Sequence, residues 1–189
     1  MSEKILAVDS SDQPIASMER SEAVQTQHWR RASGGLLVDR SRQLLLCHQR
    51  TFSKDERPGL WVATFGGKNH PDEDPLSAAK RELFEEFGVE EPAVTIHFFD
   101  RIKSEERHQF EYLFIVLADA GNLKIEPDRT EVAALRWVPI TELLETIKTD
   151  ENWYEYGYEG RMLAAADSTP PAIVRPSDEV PGSGTMPSK

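Results

Sequence analysis

The sequence predicts an α/β domain in which helices flank a mixed β-sheet. Segments with the two-residue alternation of strands and segments with the 3.6-residue period of amphipathic helices interleave along the chain. Many of the strands are joined by short polar turns, as in hairpins, so we expect antiparallel as well as parallel neighbours in the sheet. A chain of 189 residues is long enough to bury a sizeable core in one domain of ordinary size.

The first part of the chain is rich in strand signals. The predicted strands are residues 4–8, 14–18, 32–39 and 43–49, with a shorter extended segment at 60–65. The first two form an N-terminal hairpin, which we place at residues 3–18. A weaker helical signal lies at residues 21–27. Cys47 falls within an alternating strand, and we interpret it as a small buried residue rather than a catalytic thiol.

The second part of the chain alternates between strands and helices. The predicted elements are strands at 93–103, 109–118 and 134–138, a helix from Pro139 to about Lys148, and a final helix at 161–166. Proline, serine and glycine dominate residues 167–189, where apolar residues are scarce. We therefore predict one domain over residues 1–166, followed by a flexible tail.

The strongest helix signal lies between Asp74 and Gly88. Asp74 is a favourable N-cap, and Pro75 suits the first turn, where its missing N–H would have no partner. Gly88 supplies the left-handed conformation that commonly ends a helix. These signals predict a helix that begins at Pro75 and stops at Gly88.

Three carboxylates, Glu82, Glu85 and Glu86, lie on the side of this helix opposite its apolar stripe. The stripe consists of Leu76, Ala79, Leu83 and Phe87. Like charges four residues apart, such as Glu82 and Glu86, cost a few tenths of a kcal/mol without a cation to compensate them. A hard divalent cation would make the same arrangement favourable. Spacing alone leaves two interpretations open, a solvated acidic surface and a metal site.

The stretch at residues 67–89 carries a more specific pattern. Gly67 is followed by five residues and Glu73, then by seven residues and the run RELFEEFGV at 81–89. This pattern matches every fixed position of the Nudix box, and the chain resembles the Nudix hydrolase superfamily. The resemblance implies an α/β/α sandwich and metal-dependent cleavage of a diphosphate linkage.

The resemblance also implies roles for residues of the box. Glu82, Glu85 and Glu86 would bind the metal, with the carbonyl of Gly67 as a further ligand. Glu73 and Arg81 would orient the loop and the helix, and we count both, with Glu82 and Glu85, among the catalytic residues. The implied cofactor is Mg²⁺, with Mn²⁺ as a substitute, and the general base is left open among Glu82, Glu111 and Glu131.

The loop that precedes the box supplies a second resemblance. The segments QRTFSK at 49–54 and PGLW at 58–61 are similar to those of isopentenyl diphosphate isomerase and its hydrolase-like Nudix relatives. The matching cations, Arg50 and Lys54, would bind the diphosphate, since guanidinium and ammonium groups are good phosphate ligands. The alternative is an ordinary solvated basic loop.

Several positions depart from the isomerase pattern. Gly66 and Lys68 stand where the isomerase has its catalytic cysteine and a metal-binding histidine, and of the other metal histidines at most His28 is matched. Only Glu111 falls where the isomerase strand supplies an acid, so we include it among the catalytic residues. We therefore expect hydrolysis of an organic or nucleoside diphosphate. The alternatives are isomerase-type activity and a non-catalytic ligand sensor.

Composition limits the partners of the protein. With 33 acidic and 22 basic residues the net charge is −11, which argues against binding a nucleic acid polymer. A single cysteine and the lack of a membrane span or signal peptide predict a cytoplasmic protein. We expect a small-molecule diphosphate substrate and no membrane partner. The oligomeric state is open, and a homodimer is one alternative.

The aromatic run at residues 153–158 has two interpretations. Trp153, Tyr154, Tyr156 and Tyr158 could stack on a nucleobase or pack against the last helix, and we favour packing. The group attached to the diphosphate is not predicted, because one fold carries many substrates.

Overall fold

The computed structural model describes residues 3–167, which form one large mixed sheet with helices on both faces. The strands are β1 Lys4–Val8, β2 Pro14–Glu19, β3 Trp29–Asp39, β4 Leu44–Arg50, β5 Trp61–Val62, β6 Phe65–Lys68, β7 Thr95–Ser104, β8 Gln109–Leu117, β9 Val132–Pro139 and β10 Trp153–Tyr154. The helices are α1 Arg20–Gln25, α2 Pro75–Phe87, α3 Ile140–Thr149 and α4 Glu159–Asp167.

The long strand β3 is the centre of the sheet. It pairs in parallel with β8 along most of its length and antiparallel with β6 and β4. The hairpin β1–β2 and the pair β7–β8 are antiparallel, and β4 pairs antiparallel with β9. The predicted mixed sheet is therefore confirmed.

Alternation along β3 separates two hydrophobic cores. Leu36 and Val38 belong to the core that also holds α3 and α4, whereas Leu37 belongs to the core that holds α2. The helices thus cover opposite faces of the sheet, because successive side chains of a strand point to opposite sides. The predicted α/β/α sandwich is confirmed.

Helix α2 has the ends that its sequence predicts. The Asp74 carboxylate accepts hydrogen bonds from the amides of Leu76 (2.9 Å) and Ser77 (3.0 Å), and Pro75 occupies the first turn. Gly88 ends the helix with φ 68°. A Cβ atom on Gly88 would lie 2.3 Å from the carbonyl oxygen of Glu126, so both backbone and space require glycine here.

The structure differs from the predicted elements in two places. The extended segment before the box is two short strands, β5 and β6. Strand β5 pairs with β4, whereas β6 pairs with β3. The strand predicted to be the last is β9, and β10 follows it as a parallel partner of β5. Two-residue strands carry too little periodicity to be found in a sequence. Helix α4 ends at Asp167, and the rest of the predicted tail lies outside the described residues.

A buried cluster of charges ties the N-terminal hairpin to the sheet. The Arg31 Nε donates to Asp12 Oδ1 at 2.7 Å, and the side chains of both residues are almost fully buried. Arg101 Nη1 donates to Asp12 Oδ2 at 3.0 Å, and the Tyr112 hydroxyl donates to the same oxygen. The carboxylate of Asp12 is therefore surrounded by donors from three strands.

Candidate active site

A polar cavity of about 780 Å³ opens where β3, β6 and β8 meet the N-terminal part of the chain. The end of α2, the loop at 50–59 and the aromatic segment at 153–158 complete its walls. Its volume is within the range of small-molecule sites. Most of the residues that the sequence predicted to be functional line this cavity.

The floor of the cavity is built by the register of three strands. Ala32 of β3 is paired with Lys68 of β6 on one side and with Glu111 of β8 on the other, and Arg30 is paired with Gln109. Directly paired residues place their side chains on the same face of a sheet. The small side chain of Ala32 therefore lies between a cation and a carboxylate.

These polar side chains form a chain of hydrogen bonds across the floor. The Lys68 ammonium donates to Gln109 Oε1, and Gln109 Nε2 donates to Glu111 Oε1 at 3.2 Å. Arg107 Nη1 donates to the same Glu111 oxygen at 2.8 Å. Burial lowers the pKa of Lys68 to about 8, and the charges of Arg30 and Arg20 shift it in the same direction.

Two of the predicted carboxylates form the opposite wall. Glu82 and Glu86 of α2 are buried, which excludes the solvated-surface interpretation for both. The amide of Gly66 donates to Glu86 Oε2 at 3.2 Å. A Cβ atom on Gly67 would lie 2.3 Å from Glu82 Oε1, so glycine is needed for the carboxylate to approach the strand.

The pKa values of these carboxyl groups reflect their burial. Burial raises the pKa of Glu82 to about 7, although Arg81 opposes the shift. The pKa of Glu86 is raised well above its usual value, first by burial and then by the charges of Glu82 and Glu131. Removing two carboxylates from water is unfavourable unless a proton or a cation accompanies them.

Arg81 connects the helix to the loop that precedes it. Its Nε donates to Glu73 Oε1 at 2.7 Å, its Nη1 donates to Glu82 Oε1 at 2.7 Å, and its Nη2 donates to the carbonyl of Lys68 at 2.9 Å. Arg81 therefore holds Glu73, Glu82 and β6 together, which is the geometry that an orienting residue needs.

The side chains on this wall meet only part of what a divalent cation requires. Among residues 3–167, no group of three or more His, Cys, Asp or Glu side chains is arranged to hold a metal ion. Glu85 is exposed and accepts a hydrogen bond from Arg81 at 2.8 Å, whereas Glu86 is buried. Glu82 and Glu86 nevertheless offer the hard oxygen donors that Mg²⁺ prefers, beside Gly66 and Gly67. The donor chemistry fits, and the three-carboxylate ligand set with Gly67 stays a prediction.

The two predicted phosphate ligands line the cavity but have partners within the protein. Lys54 Nζ forms an ion pair with Glu131 Oε1 at 2.7 Å, and Arg50 Nε donates to the carbonyl of Glu56 at 3.0 Å. The loop is therefore held by its own contacts. The phosphate-binding roles of Arg50 and Lys54 stay predictions.

Two residues of the cavity were not found from the sequence. Burial lowers the pKa of His48 to about 3, with Arg50 and Lys54 adding to the shift, so its imidazole is neutral. Arg30 lies on the floor, and its buried Nε has no hydrogen-bond partner among the described residues. Burial also lowers the pKa of Arg30. Arg30 lies two residues from Ala32, so both side chains are on the face of β3 that lines the cavity. The sequence shows this spacing, but it does not show which strands pair with β3.

The aromatic segment divides between packing and the cavity. Trp153 is buried and stacks on Trp61 with 5.8 Å between ring centroids. Tyr154, Tyr156 and Tyr158 line the cavity, and the guanidinium of Arg57 lies 3.8 Å from the Tyr154 ring centroid. The interpretation as packing therefore describes Trp153, whereas the tyrosines also form a wall of the site.

Two further candidates lie away from the cavity. His28 Nδ1 is hydrogen-bonded to Thr26 Oγ1 at 2.6 Å, and His28 does not line the cavity. Cys47 is buried in the core that holds α3 and α4, and burial raises the pKa of its thiol. The thiol therefore has no access to a ligand in the cavity, in agreement with its interpretation as a packing residue.

The fold and the site define a Nudix-type enzyme. Residues 28–159 match the family model described as the NUDIX domain, and the chain belongs to this family. Nudix proteins generally use divalent metal ions. The solved structure of DR0079 from Deinococcus radiodurans shares the fold, with a TM-score of 0.70 and 20% identity over 86% of this chain and 98% of that chain.

The curated relatives correct the function that we expected. The isopentenyl-diphosphate Delta-isomerase of Burkholderia multivorans is 32% identical over 77% of this chain and 82% of that protein. The isomerase of Streptomyces coelicolor is 30% identical over 88% of this chain and 83% of that protein. The expectation of a Mg²⁺-dependent diphosphate hydrolase was wrong, because these relatives favour the alternative. Membership of the family does not by itself discriminate between hydrolysis and isomerisation, because one fold carries many functions.

None of the helices between residues 3 and 167 has the length and hydrophobicity that crossing a bilayer requires.

Proposed function

We propose that this protein is an isomerase that moves a double bond within a short alkenyl diphosphate. Support comes from the isomerase relatives and from a cavity that places an acidic residue and several cations around one small-molecule site. The observation that carries the proposal is the arrangement of Glu111. Its Oε1 is held by Arg107 and Gln109, whereas its Oε2 has no hydrogen-bond partner among residues 3–167.

Glu111 can perform both halves of such a reaction. A double-bond shift adds a proton to one carbon and removes a proton from another, so the atoms of the substrate balance. The carboxyl group of Glu111 would give the proton on Oε2 to the terminal alkene carbon. The carboxylate would then take a proton from the carbon on the other side of the cationic centre. The fixed Oε1 keeps the group oriented during both transfers.

The only cysteine of the chain does not line the cavity, so in this proposal the carboxyl group of Glu111 performs both proton transfers. Gly66 and Lys68 stand where the resemblance places the cysteine and a metal-binding histidine, and Cys47 lies in the core. The ammonium of Lys68, joined to Glu111 through Gln109, supplies a positive charge beside the carboxylate.

The diphosphate would be held at the other side of the cavity. A bound divalent ion, for which we propose Mg²⁺ with Mn²⁺ as a substitute, would neutralise part of the phosphate charge. Glu82 and Glu86 would hold it, and Arg50 and Lys54 would contact phosphate oxygens. The substrate would thus lie between α2 and the β8 carboxylate.

The test is to incubate the protein with isopentenyl diphosphate and Mg²⁺ in D₂O and follow the reaction by NMR. We expect conversion to the isomer and deuterium incorporation at the carbons that exchange protons. Glu111→Gln should reduce the rate by about 10²- to 10⁴-fold, the usual contribution of a positioned acid–base group. Glu106→Gln is the matched control, because this exposed carboxylate lies on the rim of the same cavity.

Two outcomes would contradict the proposal. One is release of pyrophosphate or inorganic phosphate without any deuterium incorporation. The other is tight binding of the diphosphate without reaction, which would indicate a ligand sensor.

A further inference from the structure

Arg30 is a cavity cation with no ion-pair partner among the described residues, and the charge of Glu56 acts on it only from a longer distance. Within residues 3–167 its guanidinium forms no ion pair or side-chain hydrogen bond, and its Nε is buried. The other arginines in the same cavity differ. Arg20 pairs with Glu3 at 2.9 Å, and Arg107 pairs with Glu111 at 2.8 Å. Burying part of a charged group without a partner costs free energy, so this arrangement favours an anionic ligand.

Further positive charge lies beside Arg30. Lys68 is paired with Ala32, two residues along β3 from Arg30, so the Cα atoms of Lys68 and Arg30 are diagonal neighbours about 7–8 Å apart. The single hydrogen bond of the Lys68 ammonium goes to the neutral amide of Gln109. Two cations thus lie near each other on one face of the sheet, and neither forms an ion pair with a carboxylate among residues 3–167.

Arg30 and Lys68 form a cationic wall of the cavity, and Glu82 and Glu86 form an acidic wall. Glu82 and Glu86 are buried and repel each other, whereas the partly buried Arg30 and Lys68 repel each other with opposite sign. A ligand that carries a cation at one end and an anion at the other would compensate both walls. A metal-bound diphosphate has this distribution of charge.

We propose that Arg30 is the centre of a phosphate-binding site that accepts a phosphoryl group through the Nε and Nη atoms of its guanidinium. This geometry suits the tetrahedral, multiply charged phosphate, since a guanidinium offers two parallel donors to two oxygens. Lys68 adds a point charge to the same group. The inference rests on the proposed function for the rest of the ligand, an organic diphosphate, and it assigns Arg30 to the phosphate that lies nearer Glu111.

The experiment measures binding of inorganic pyrophosphate by calorimetry in excess EDTA, so that no metal takes part. Wild-type protein should bind, and Arg30→Gln should weaken binding about tenfold or more, the loss expected for a charge-assisted contact. Arg20→Gln is the matched control, because Arg20 lines the same cavity but is paired with Glu3. We expect it to change the affinity less than about threefold.

A second variant separates charge from geometry. Arg30→Lys keeps the positive charge and loses the two-donor fork, so we expect an affinity between those of wild-type protein and Arg30→Gln. The melting temperature of the free protein should be unchanged or higher in Arg30→Gln, because no ion pair or side-chain hydrogen bond within residues 3–167 is lost and repulsion with Lys68 is removed. Pyrophosphate should raise the melting temperature of wild-type protein more than that of this variant.

Three results would overturn the proposal. They are no binding by wild-type protein in EDTA, equal affinity of wild-type protein and both Arg30 variants, and an equal loss in Arg20→Gln and Arg30→Gln. An equal loss in both variants would indicate that the overall positive charge of the cavity, and not Arg30 itself, attracts pyrophosphate. Pyrophosphate binding through Arg30 without any double-bond shift would contradict the proposed function alone, and isomerisation that is insensitive to Arg30 would contradict this site alone.

Discussion

The Asp12 cluster and the cavity both contain charged groups removed from water, but only the cavity leaves some of them, Glu86 and Arg30, without an ion pair among the described residues. Around Asp12 every donor meets an acceptor: the carboxylate receives hydrogen bonds from Arg31, Arg101 and Tyr112. In the cavity, Glu86 is buried beside another carboxylate, and Arg30 has no ionic partner among the described residues. Buried charges that are fully paired position structural elements, whereas unpaired ones store free energy that a ligand can release.

The two clusters use opposite faces of one strand. Arg31 and Arg30 are neighbours in β3, so their side chains point to opposite sides of the sheet. The first reaches the N-terminal hairpin and the second reaches the cavity. Substitutions at these adjacent positions can therefore be compared: those of Arg31 test the stability of the fold, and those of Arg30 test ligand binding.

The largest effect is expected for Asp12→Asn. The variant keeps the shape of the side chain but leaves Arg31 and Arg101 without a carboxylate, which should lower the free energy of unfolding by about 3–5 kcal/mol. Asparagine also tolerates the left-handed backbone at this position, where φ is 68°. Urea denaturation measures the change. A loss below about 1 kcal/mol would show that the cluster is no more than a surface ion pair.

An intermediate effect is expected for the pH dependence that His48 confers. The folded-state pKa is about 3 and the usual value is 6.5, so between these values the unfolded chain binds a proton at this position that the native protein does not. Stability should therefore fall as the pH drops below 6.5. From pH 6.5 to pH 5 this amounts to about 2 kcal/mol.

Variants at two histidines measure this contribution. In His48→Leu the loss of stability between pH 7 and pH 5 should be smaller than in wild-type protein by about 2 kcal/mol. His28→Leu is the control, because that imidazole is only half-buried. Equal pH profiles for wild-type protein and His48→Leu would show that the imidazole gains a proton without unfolding.

The smallest change in stability is expected for Glu86→Gln. The amide oxygen can still accept from Gly66, and one member of a repelling pair is removed, so metal-free stability should be unchanged or rise by a few tenths of a kcal/mol. The rise in melting temperature produced by Mg²⁺ should be reduced, since a ligand stabilises the fold in proportion to its binding. Glu85→Gln provides the comparison on the exposed side of the helix. An unchanged response to Mg²⁺ in Glu86→Gln would remove this residue from the metal site.

The ends of α2 could be predicted from sequence because their causes are local. Asp74, Pro75 and Gly88 act on residues within one turn of themselves. The helical wheel placed Glu82, Glu85 and Glu86 together, yet only the first and last are buried. A wheel gives the spacing of side chains around a helix and not the rotation of the helix against its sheet, so the exposure of Glu85 was not predictable.

The floor of the cavity was beyond the sequence for a different reason. Arg30, Gln109 and Lys68 come from three strands, and the contact of the first two depends on the parallel pairing of β3 with β8. Parallel neighbours are joined through distant segments and leave no short-range pattern. The box likewise predicted the family correctly but not the reaction. In our proposal the reaction depends on Glu111, which lies outside the box.

The buried thiol of Cys47 can report unfolding of the core through its reaction with alkylating reagents. The thiol is the only one in the chain, lies in the β4–β9 pair and has a raised pKa. Alkylating reagents attack the thiolate, so modification requires opening of the core that contains this strand pair. The rate of labelling therefore reports the opening free energy of the sheet at residue 47 under native conditions, and it can rank the variants above without an engineered label.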